Sequence, residues 1–289
     1  MKRILQIIGV LLLIIIVVLV GGIAYVYAQS NSMINEIYDI EVMSFEVPEA
    51  TDELNEEGRR IFVSRGCVDC HGTDAAGTIM AEDPAFGVIV APNLTGDYSS
   101  ETLLLALLHG VREDGTALQI MPSVDYAHWR EEELSALLVY LTTLEPVENE
   151  LPDMSYGPLY RALLVFNQIP LSADVIDHDS AGLVDIEASA SVEYGDYLAH
   201  STCIGCHGED FSGASVPGTS IVAPNLTFHA TGLEGWTLED FQTAIQTGVT
   251  PDGEQLDVAM PYAAFASFTD TEVEALYLYL QSVEPLEGD

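Results

Sequence analysis

The sequence predicts an all-α protein in which an N-terminal transmembrane helix precedes two tandem copies of one helical domain. Three observations support this architecture: a long apolar run at the N-terminus, an ordered set of motifs that occurs twice, and helical periodicity around each set. The chain has 289 residues, which is enough for two domains of ~100–150 residues and their connections. We therefore expect two small cores rather than one large core.

The first predicted element is a membrane anchor, or uncleaved signal, over residues 1–28. Residues 4–28 form an apolar run broken only by Gln6, and a membrane-spanning helix needs ~20 such residues. Lys2 and Arg3 precede the run and acidic residues follow it, which predicts a cytoplasmic N-terminus and an exported remainder. The run also ends in a sequence suited to signal peptidase, so cleavage is the alternative. Both outcomes export the rest of the chain.

The remainder of the chain repeats a series of landmarks in the same order. The series is CxxCH, APNLT, Gly-Val, Asp-Gly and Met-Pro, which begin at residues 67, 91, 110, 114 and 121 and again at 203, 223, 248, 252 and 260. His207 follows His71 by 136 residues, and Met260 follows Met121 by 139 residues. This period is the size of a domain, whereas solenoid repeats run to roughly 20–50 residues. The pattern therefore indicates a duplicated domain.

Each copy also shows the same helical segments. A helix is predicted before each CxxCH, over 55–65 and 193–200, with Gly58 and Gly195 available for a close helix contact. Another precedes each Gly-Val pair, and the last helix follows each Met-Pro pair. We expect Thr237 with Asp240, and Thr269 with Glu272, to cap the two later helices of the second copy. No run of alternating β-branched residues is apparent.

These segments define the predicted domain boundaries. The first domain spans 51–146 and the second spans 189–289, with linkers over 29–50 and 147–188. Within the second linker, residues 158–166 read as one short helix between Gly157 and Pro170. We expect this helix to pack at the interface between the two domains.

The two CxxCH motifs contain all four cysteines of the chain, which are Cys67, Cys70, Cys203 and Cys206. In such a motif the two thiols add to the vinyl groups of a haem, and the adjoining histidine is the proximal iron ligand. A zinc site, a redox-active CxxC or a structural disulfide are the alternatives. The duplication on an exported chain favours two covalently bound haems.

With these motifs the chain resembles the class I cytochrome c family, and more closely its membrane-anchored dihaem members. It is similar to the cytochrome subunits of periplasmic dehydrogenases and of oxidases. The resemblance implies two haem c groups, attached through the four cysteines, with His71 and His207 as proximal ligands. It implies Met121 and Met260 as the distal ligands. It also implies that two loops pack over the haem edges, namely Pro92, Asn93 and Leu94 in the first domain and Pro224, Asn225 and Leu226 in the second.

Other side chains compete for the distal position. Met80 lies only nine residues after His71 and has no counterpart in the second copy, so we expect it not to be a ligand. Five further histidines, none with a histidine counterpart in the other copy, are expected at the surface or in loops: His109, His128, His178, His200 and His229.

Charge limits the partners of this protein. The chain has 46 Asp and Glu against 8 Lys and Arg, for a net charge of −38, and no Lys or Arg follows Arg161. Such a surface repels phosphate backbones, which excludes nucleic-acid binding. It suits either a salty or acidic habitat or docking to a basic redox partner or a larger respiratory complex. We also expect Arg161 or His178 to reach the second haem, where local cations are absent.

The predicted function is electron transfer outside the cytoplasmic membrane, between a respiratory or dehydrogenase donor and a terminal acceptor. A haem with both axial positions filled by His and Met has no open site for substrate, so no enzyme activity is expected. The alternative is a dihaem redox enzyme, of the peroxidase or thiosulfate-oxidising type, with one labile distal ligand. Because the first domain holds five arginines, we expect its haem to have the higher reduction potential.

Overall fold

The computed structural model describes residues 2–96, 98–216 and 221–288. Its first element is helix α1, Lys2–Ile34, whose length and apolar composition are those of a membrane-spanning helix. This helix continues past residue 28 into the segment 29–50, which we predicted as a linker. The remainder of that segment follows the surface of the first copy, where Tyr38 and Phe45 pack against buried clusters.

The first copy folds into the predicted series of helices. Its four helices and one 3₁₀ turn are α2 (Asp52–Ser64), α3 (Cys67–His71), α4 (Ser100–His109), the turn Ser123–Tyr126 and α5 (Glu131–Thr143). The Thr51 hydroxyl accepts a hydrogen bond from the Leu54 amide and so caps the N-terminus of α2. Ser99 caps α4 in the same way through Thr102.

Between the copies, helix α6 (Pro158–Val165) forms where a short helix was predicted, but not in the predicted place. It packs against α1 rather than at the interface between the copies. Tyr160 and Leu164 are fully buried there, in a cluster with Val111 of the first copy. The helix has an apolar face that fits this site, and helical periodicity alone does not determine which neighbour covers such a face.

The second copy repeats the first. Its helices are α7 (Val192–Thr202), α8 (Ile204–His207), α9 (Leu238–Thr247), α10 (Tyr262–Phe265) and α11 (Asp270–Ser282). Both predicted capping boxes are confirmed. Thr237 exchanges hydrogen bonds with Asp240 at the start of α9, and Thr269 with Glu272 at the start of α11.

The first and last helices of each copy cross in direct contact at a glycine. A Cβ atom on Gly58 of α2 would overlap the carbonyl oxygen of Ala136 in α5. A Cβ atom on Gly195 of α7 would overlap the carbonyl oxygen of Ala275 in α11 in the same way. The predicted close contact at these two glycines is therefore confirmed in both copies. Only glycine allows two helix backbones to approach this closely.

The all-α class needs a correction, because short strands occur between the helices. In the first copy β1 (Thr78–Asp83) and β2 (Gly87–Ala91) form an antiparallel hairpin. Two parallel strands, β3 (His128–Arg130) and β5 (Gly182–Val184), join the first copy to the linker, and β4 (Ser155–Tyr156) extends the hairpin sheet. In the second copy β6 (Ala214–Ser215) pairs with β7 (Val222–Ala223). The β-branched run Val88-Ile89-Val90 was the overlooked signal.

We predict that Gly195→Ala destabilises the protein, although alanine normally stabilises a helix interior by about 1 kcal/mol relative to glycine. The new methyl group would meet the backbone of α11, which cannot yield without separating the two helices, so a loss of about 1–3 kcal/mol is expected. Urea unfolding of the detergent-solubilised protein, followed by haem absorbance, measures the change. Glu193→Ala, on the exposed face of α7, is the matched control. Unchanged or increased stability of Gly195→Ala would refute this account of the contact.

Candidate haem-binding sites

Each CxxCH motif forms a short helical turn directly after the first helix of its copy. In the first copy this turn is α3, and in the second it begins at Cys203 and continues through α8. No disulfide bond joins any of the four cysteines, all of which lie within the described residues. Burial raises the pKa of Cys67 to about 12 and that of Cys203 to about 11. Redox-active CxxC pairs instead have a thiol of lowered pKa, so the structure disfavours that alternative.

The histidine of each motif is held by the proline of the APNLT motif. His71 Nδ1 lies 3.0 Å from the Pro92 carbonyl oxygen, and His207 Nδ1 lies 2.8 Å from that of Pro224. A carbonyl oxygen only accepts, so Nδ1 must carry the hydrogen and donate it. Burial also lowers the pKa of both imidazoles, which keeps them neutral. The Nε2 lone pair is therefore available to an iron ion, in the orientation that metal-ligating histidines adopt.

The asparagine of each APNLT motif fixes the shape of this loop. Asn93 Oδ1 accepts from the amide and hydroxyl of Thr95 at 2.9 and 2.7 Å. Asn225 Oδ1 accepts from the amide and hydroxyl of Thr227 at 2.8 Å each. Such Asx turns hold a tight bend without regular secondary structure. We infer that the asparagines position the proline carbonyl, a role that the sequence analysis missed.

The leucine of each APNLT motif ties the loop to the segment that follows CxxCH. The Leu94 amide donates to the carbonyl oxygen of Ala75, and the Leu226 amide donates to that of Phe211, each at 2.8 Å. Ala75 and Phe211 both have positive φ, 57° and 58°. The two copies therefore share even an unusual backbone conformation here. Contact of these loops with the haem edge stays a prediction.

The two Met-Pro pairs form the same tight turn. Pro122 has φ −80° and ψ 58°, and Pro261 has φ −81° and ψ 50°. In each, the amide after the proline donates back to the methionine carbonyl, at 2.9 Å for Met121 and 2.8 Å for Met260. This is the inverse γ-turn. Met121 and Met260 therefore precede turns of the same backbone geometry.

Both methionines lie in the same cores as the attachment cysteines. Met121 and Cys67 are half-buried against the core of the first copy. Met260 packs against the core of the second, which includes the buried Cys203. Met80 instead lies in β1 and is 42 % exposed. The arrangement fits a haem between histidine and methionine in each copy, and ligation by Met121 and Met260 remains an inference.

The other histidines have local surroundings of their own. His109, which was expected at the surface or in a loop, is instead buried at the end of α4. Its Nδ1 atom lies 3.1 Å from that of His178. His200 is bonded to the carbonyl oxygen of Asp196 one turn earlier in α7, and His229 Nδ1 to the hydroxyl of Thr231. The fifth, His128, is exposed in β3.

A buried polar network that no sequence motif predicts joins the two copies. Glu133, at the start of α5, is paired with Arg65 Nη2 at 2.5 Å and with Arg130 Nη1 at 3.1 Å. From the second copy it accepts hydrogen bonds from the hydroxyls of Tyr197 at 2.8 Å and Tyr194 at 3.0 Å. Burial opposes ionisation of this carboxyl group, but these partners lower its pKa below the usual value. Glu133 is therefore a buried anion.

An equivalent ion pair runs in the opposite direction, from a glutamate of the second copy to an arginine of the first. Glu272 stands in α11 where Glu133 stands in α5, and its carboxylate accepts from Arg60 Nη1 of the first copy at 2.7 Å. Arg60 in turn occupies the place in α2 that Tyr197 occupies in α7, counted from Gly58 and Gly195. The last helix of each copy thus contacts the first helix of the other, as in a two-fold interface. The matching positions of the two glutamates were the available signal.

The 3₁₀ turn after Met121 lies beside both CxxCH motifs. Burial, helped by nearby Cys67, raises the pKa of Tyr126 well above its usual value. The preceding Asp125 faces the second copy, where a Cβ atom on Gly205 would lie 3.5 Å from its Oδ2 atom. Burial raises the pKa of Asp125 to about 6. Asp125 and Tyr126 therefore connect the surroundings of the two attachment sites.

Two expected neighbours of the second haem lie elsewhere. Arg161 donates to Ser30 and Asn31 of α1, and His178 pairs with His109 of the first copy. At Arg161 and His178 the linker packs against α1 and the first copy, whereas only its last part, with Val184 and Ile186, packs against the core of the second copy. The expectation that either one serves the second haem is therefore wrong.

Comparison with known proteins agrees with this geometry. The family model "Cytochrome c" matches residues 55–145 and 192–284. The chain is 36 % identical over 117 residues to the gluconate 2-dehydrogenase cytochrome c subunit of Pantoea cypripedii, covering 37 % of this chain and 26 % of that protein. It is 37 % identical over 109 residues to the fructose dehydrogenase cytochrome subunit of Gluconobacter japonicus, covering 34 % and 22 %.

A third relative is an oxidase subunit. The Cbb3-type cytochrome c oxidase subunit CcoP of Helicobacter pylori (strain 52) is 32 % identical over 98 residues, covering 34 % of this chain and 30 % of that protein. The match thus spans less than a third of each of these three relatives. The two family matches together cover more than half of this chain. The chain therefore belongs to the cytochrome c family, and its two cytochrome c domains carry two haem c groups and transfer electrons.

Proposed function

We propose that this protein is a membrane-anchored, non-enzymatic electron-transfer subunit whose two haem domains lie on the outer side of the cytoplasmic membrane. It takes electrons from a membrane-associated dehydrogenase or quinol-oxidising complex and passes them to a terminal acceptor. The observation that carries the proposal is the repeated geometry: a histidine held through Nδ1 and a Met-Pro inverse γ-turn occur in both copies. Two filled axial positions per haem suit electron transfer and leave no site for substrate.

The orientation in the membrane rests on charge. Lys2 and Arg3 precede the apolar part of α1, whereas the chain beyond it is strongly acidic. Basic residues are retained on the cytoplasmic side, which supports an outer location for both domains. Covalent attachment suits this location because a lost cofactor is not readily replaced there.

We propose that electrons pass directly between the two haems across the buried interface. Arg65 is within electrostatic reach of Cys67 and Cys203, where its charge opposes the pKa rise caused by burial. The turn with Asp125 and Tyr126 touches both motifs. One packed interface thus lies between two attachment sites, and no solvent layer separates them at these residues.

The acidic surface favours basic docking partners. Complementary charge mainly accelerates encounter between redox proteins, and this chain offers an anionic surface over the whole second domain. Adaptation to habitat would produce the same composition. A strong dependence of the electron-transfer rate on ionic strength would support docking, because salt screens exposed charges over ~10 Å at 0.1 M.

We predict that Met121→Ala and Met260→Ala each remove sulfur ligation from one haem only. Each variant loses half of the far-red sulfur-to-iron band of the oxidised protein and gains one carbon monoxide site when reduced. The wild type should bind carbon monoxide at neither haem. Met80→Ala, at an exposed methionine of the first copy, is the matched control and should leave both signals unchanged.

A full band in either variant would remove that methionine from the ligand set. Rapid stoichiometric carbon monoxide binding by the wild type would instead favour the alternative, a dihaem enzyme with a labile distal ligand.

We predict that Arg65→Gln lowers the reduction potential of both haems. Reduction adds a negative charge, and the variant removes a buried cation that is close to both attachment motifs. It also leaves Glu133 with fewer partners, at a stability cost of about 3 kcal/mol. A redox titration and a urea titration measure the two effects.

Arg59→Gln is the control, because Arg59 is exposed on the same helix. Its effect on potential should be much smaller, since solvent screens an exposed charge. A shift confined to one haem in Arg65→Gln would show that the arginine is not shared between the domains.

A further inference from the structure

Helix α6 of the linker is fixed to the end of α1. Arg161 Nη1 donates to the hydroxyl of Ser30 at 2.9 Å and to Asn31 Oδ1 at 2.7 Å. Its guanidinium carbon lies 4.9 Å from the ring centroid of Tyr27. Ser30 is fully buried by this contact. The helix thus lies beside the point where the apolar run of α1 ends.

The contact is part of a packed unit and not an isolated hydrogen bond. Met33 and Ile34, at the end of α1, pack against the cluster that contains Tyr160 and Leu164 of α6. The same cluster includes Val111 and Ala117 of the first copy. The height of α1 in a bilayer therefore sets the height of α6 as well.

The outer face of α6 is apolar although nothing in the described residues covers it. Leu159 is 48 % exposed and Phe166 is 65 % exposed, on the side away from the buried Tyr160 and Leu164. An eight-residue helix is about 12 Å long. Because Arg161 lies between them in the chain and contacts Tyr27, both side chains lie within about one helix length of the point where the apolar run ends.

Arg161 adds a cation without a carboxylate partner. It forms no ion pair within the described residues, in a chain with 46 acidic side chains, and its Nη2 group makes no hydrogen bond there. Its other groups bind only neutral oxygens. Arginine at a membrane interface commonly extends its guanidinium group towards the headgroups, and the Nη2 group of Arg161 is the donor that remains for a phosphate oxygen.

We propose that α6 is an interfacial helix that rests on the surface of the bilayer that holds α1. Leu159 and Phe166 enter the boundary between headgroups and acyl chains, and Arg161 binds a lipid phosphate. The exposed Tyr25 and Tyr27 supply the aromatic belt at the same level. The bilayer is the partner of this face, because α1 crosses the membrane directly beside α6. This inference rests on the proposed membrane anchor.

The contact would orient both haem domains relative to the membrane. The rest of the exported chain is anionic and is repelled by anionic headgroups, so a single helix would leave it free to tilt. A second contact, beside the anchor, fixes the first copy, and the buried interface carries the second copy with it.

Spin labels test the inference, because every native cysteine is consumed by haem attachment. Single cysteines replace Phe166 in the linker, Val17 in the anchor and Val258, which is 84 % exposed in the second copy. The full haem-loaded chain is placed in vesicles of phosphatidylcholine and phosphatidylglycerol. Collision of each label with oxygen, which concentrates in lipid, is compared with collision with a water-soluble nickel chelate.

We expect the labels of Val17→Cys and Phe166→Cys to favour oxygen several-fold over the label of Val258→Cys. If the Val17→Cys label favours oxygen but that of Phe166→Cys behaves like Val258→Cys, the interfacial helix is refuted and the anchor stands. If the Val17→Cys label favours the nickel chelate, the anchor itself is refuted. A Phe166→Cys label that is immobilised and shielded from both reagents would show that protein covers this face, which also refutes the proposal.

The arginine is tested in the same label. Arg161→Gln should reduce the oxygen preference at Phe166→Cys at least twofold, whereas Arg161→Lys should retain most of it. Unchanged haem absorbance confirms that the variant is folded. Equal behaviour of the glutamine and lysine variants would refute the phosphate contact.

Discussion

The close crossing of the first and last helices is the constraint on which each haem domain depends. Gly58 and Gly195 let the backbones of α2 and α7 touch those of α5 and α11, and no side chain is interposed. CxxCH begins three residues after the last residue of α2 and directly follows α7, and Met-Pro shortly precedes the partner helix. The crossing therefore sets the distance between the segments that carry the two proposed axial ligands of each haem. The loops between them are long and weakly structured, so their shape depends on local hydrogen bonds and on the cofactor.

Equivalent glutamates in the two domains make different contacts. Glu272 retains the capping box of its helix with Thr269 and also binds Arg60 of the other copy. In the first copy, Arg130 occupies the capping position that Thr269 occupies in the second. Glu133 therefore has no threonine to cap with and is instead the centre of a buried network. A buried ion pair contributes little net stability, but loss of one partner is costly. The interface is therefore better suited to fixing how the domains are arranged than to holding them tightly.

Much of the site could be predicted from the sequence because its chemistry is local. The haem-attachment motif is recognisable from Cys67 to His71 alone, and the second copy repeats it. The Met121-Pro122 pair is equally local, and the structure confirms its shared turn while its role as a ligand stays a proposal. The pairing of Glu133 with Arg65, and the place of α6 against α1, could not be predicted, because they depend on which surfaces meet across long stretches of chain. The hairpin of β1 and β2 was only partly predictable from the sequence. Its β-branched run was visible, but three residues do not distinguish a strand from a buried loop.

The arginines show how composition alone misleads about electrostatics. Counted by sequence, Arg60, Arg65 and Arg130 belong to the first domain, and this was the basis for expecting a higher potential there. In the structure all three lie at the interface, where each is paired with Glu133 or Glu272 and contacts the second domain. A cation shared between two haems raises both potentials, and its carboxylate partner opposes the effect. The charge that distinguishes the domains is therefore smaller than the sequence suggests, so a count of arginines does not set the order of the two potentials.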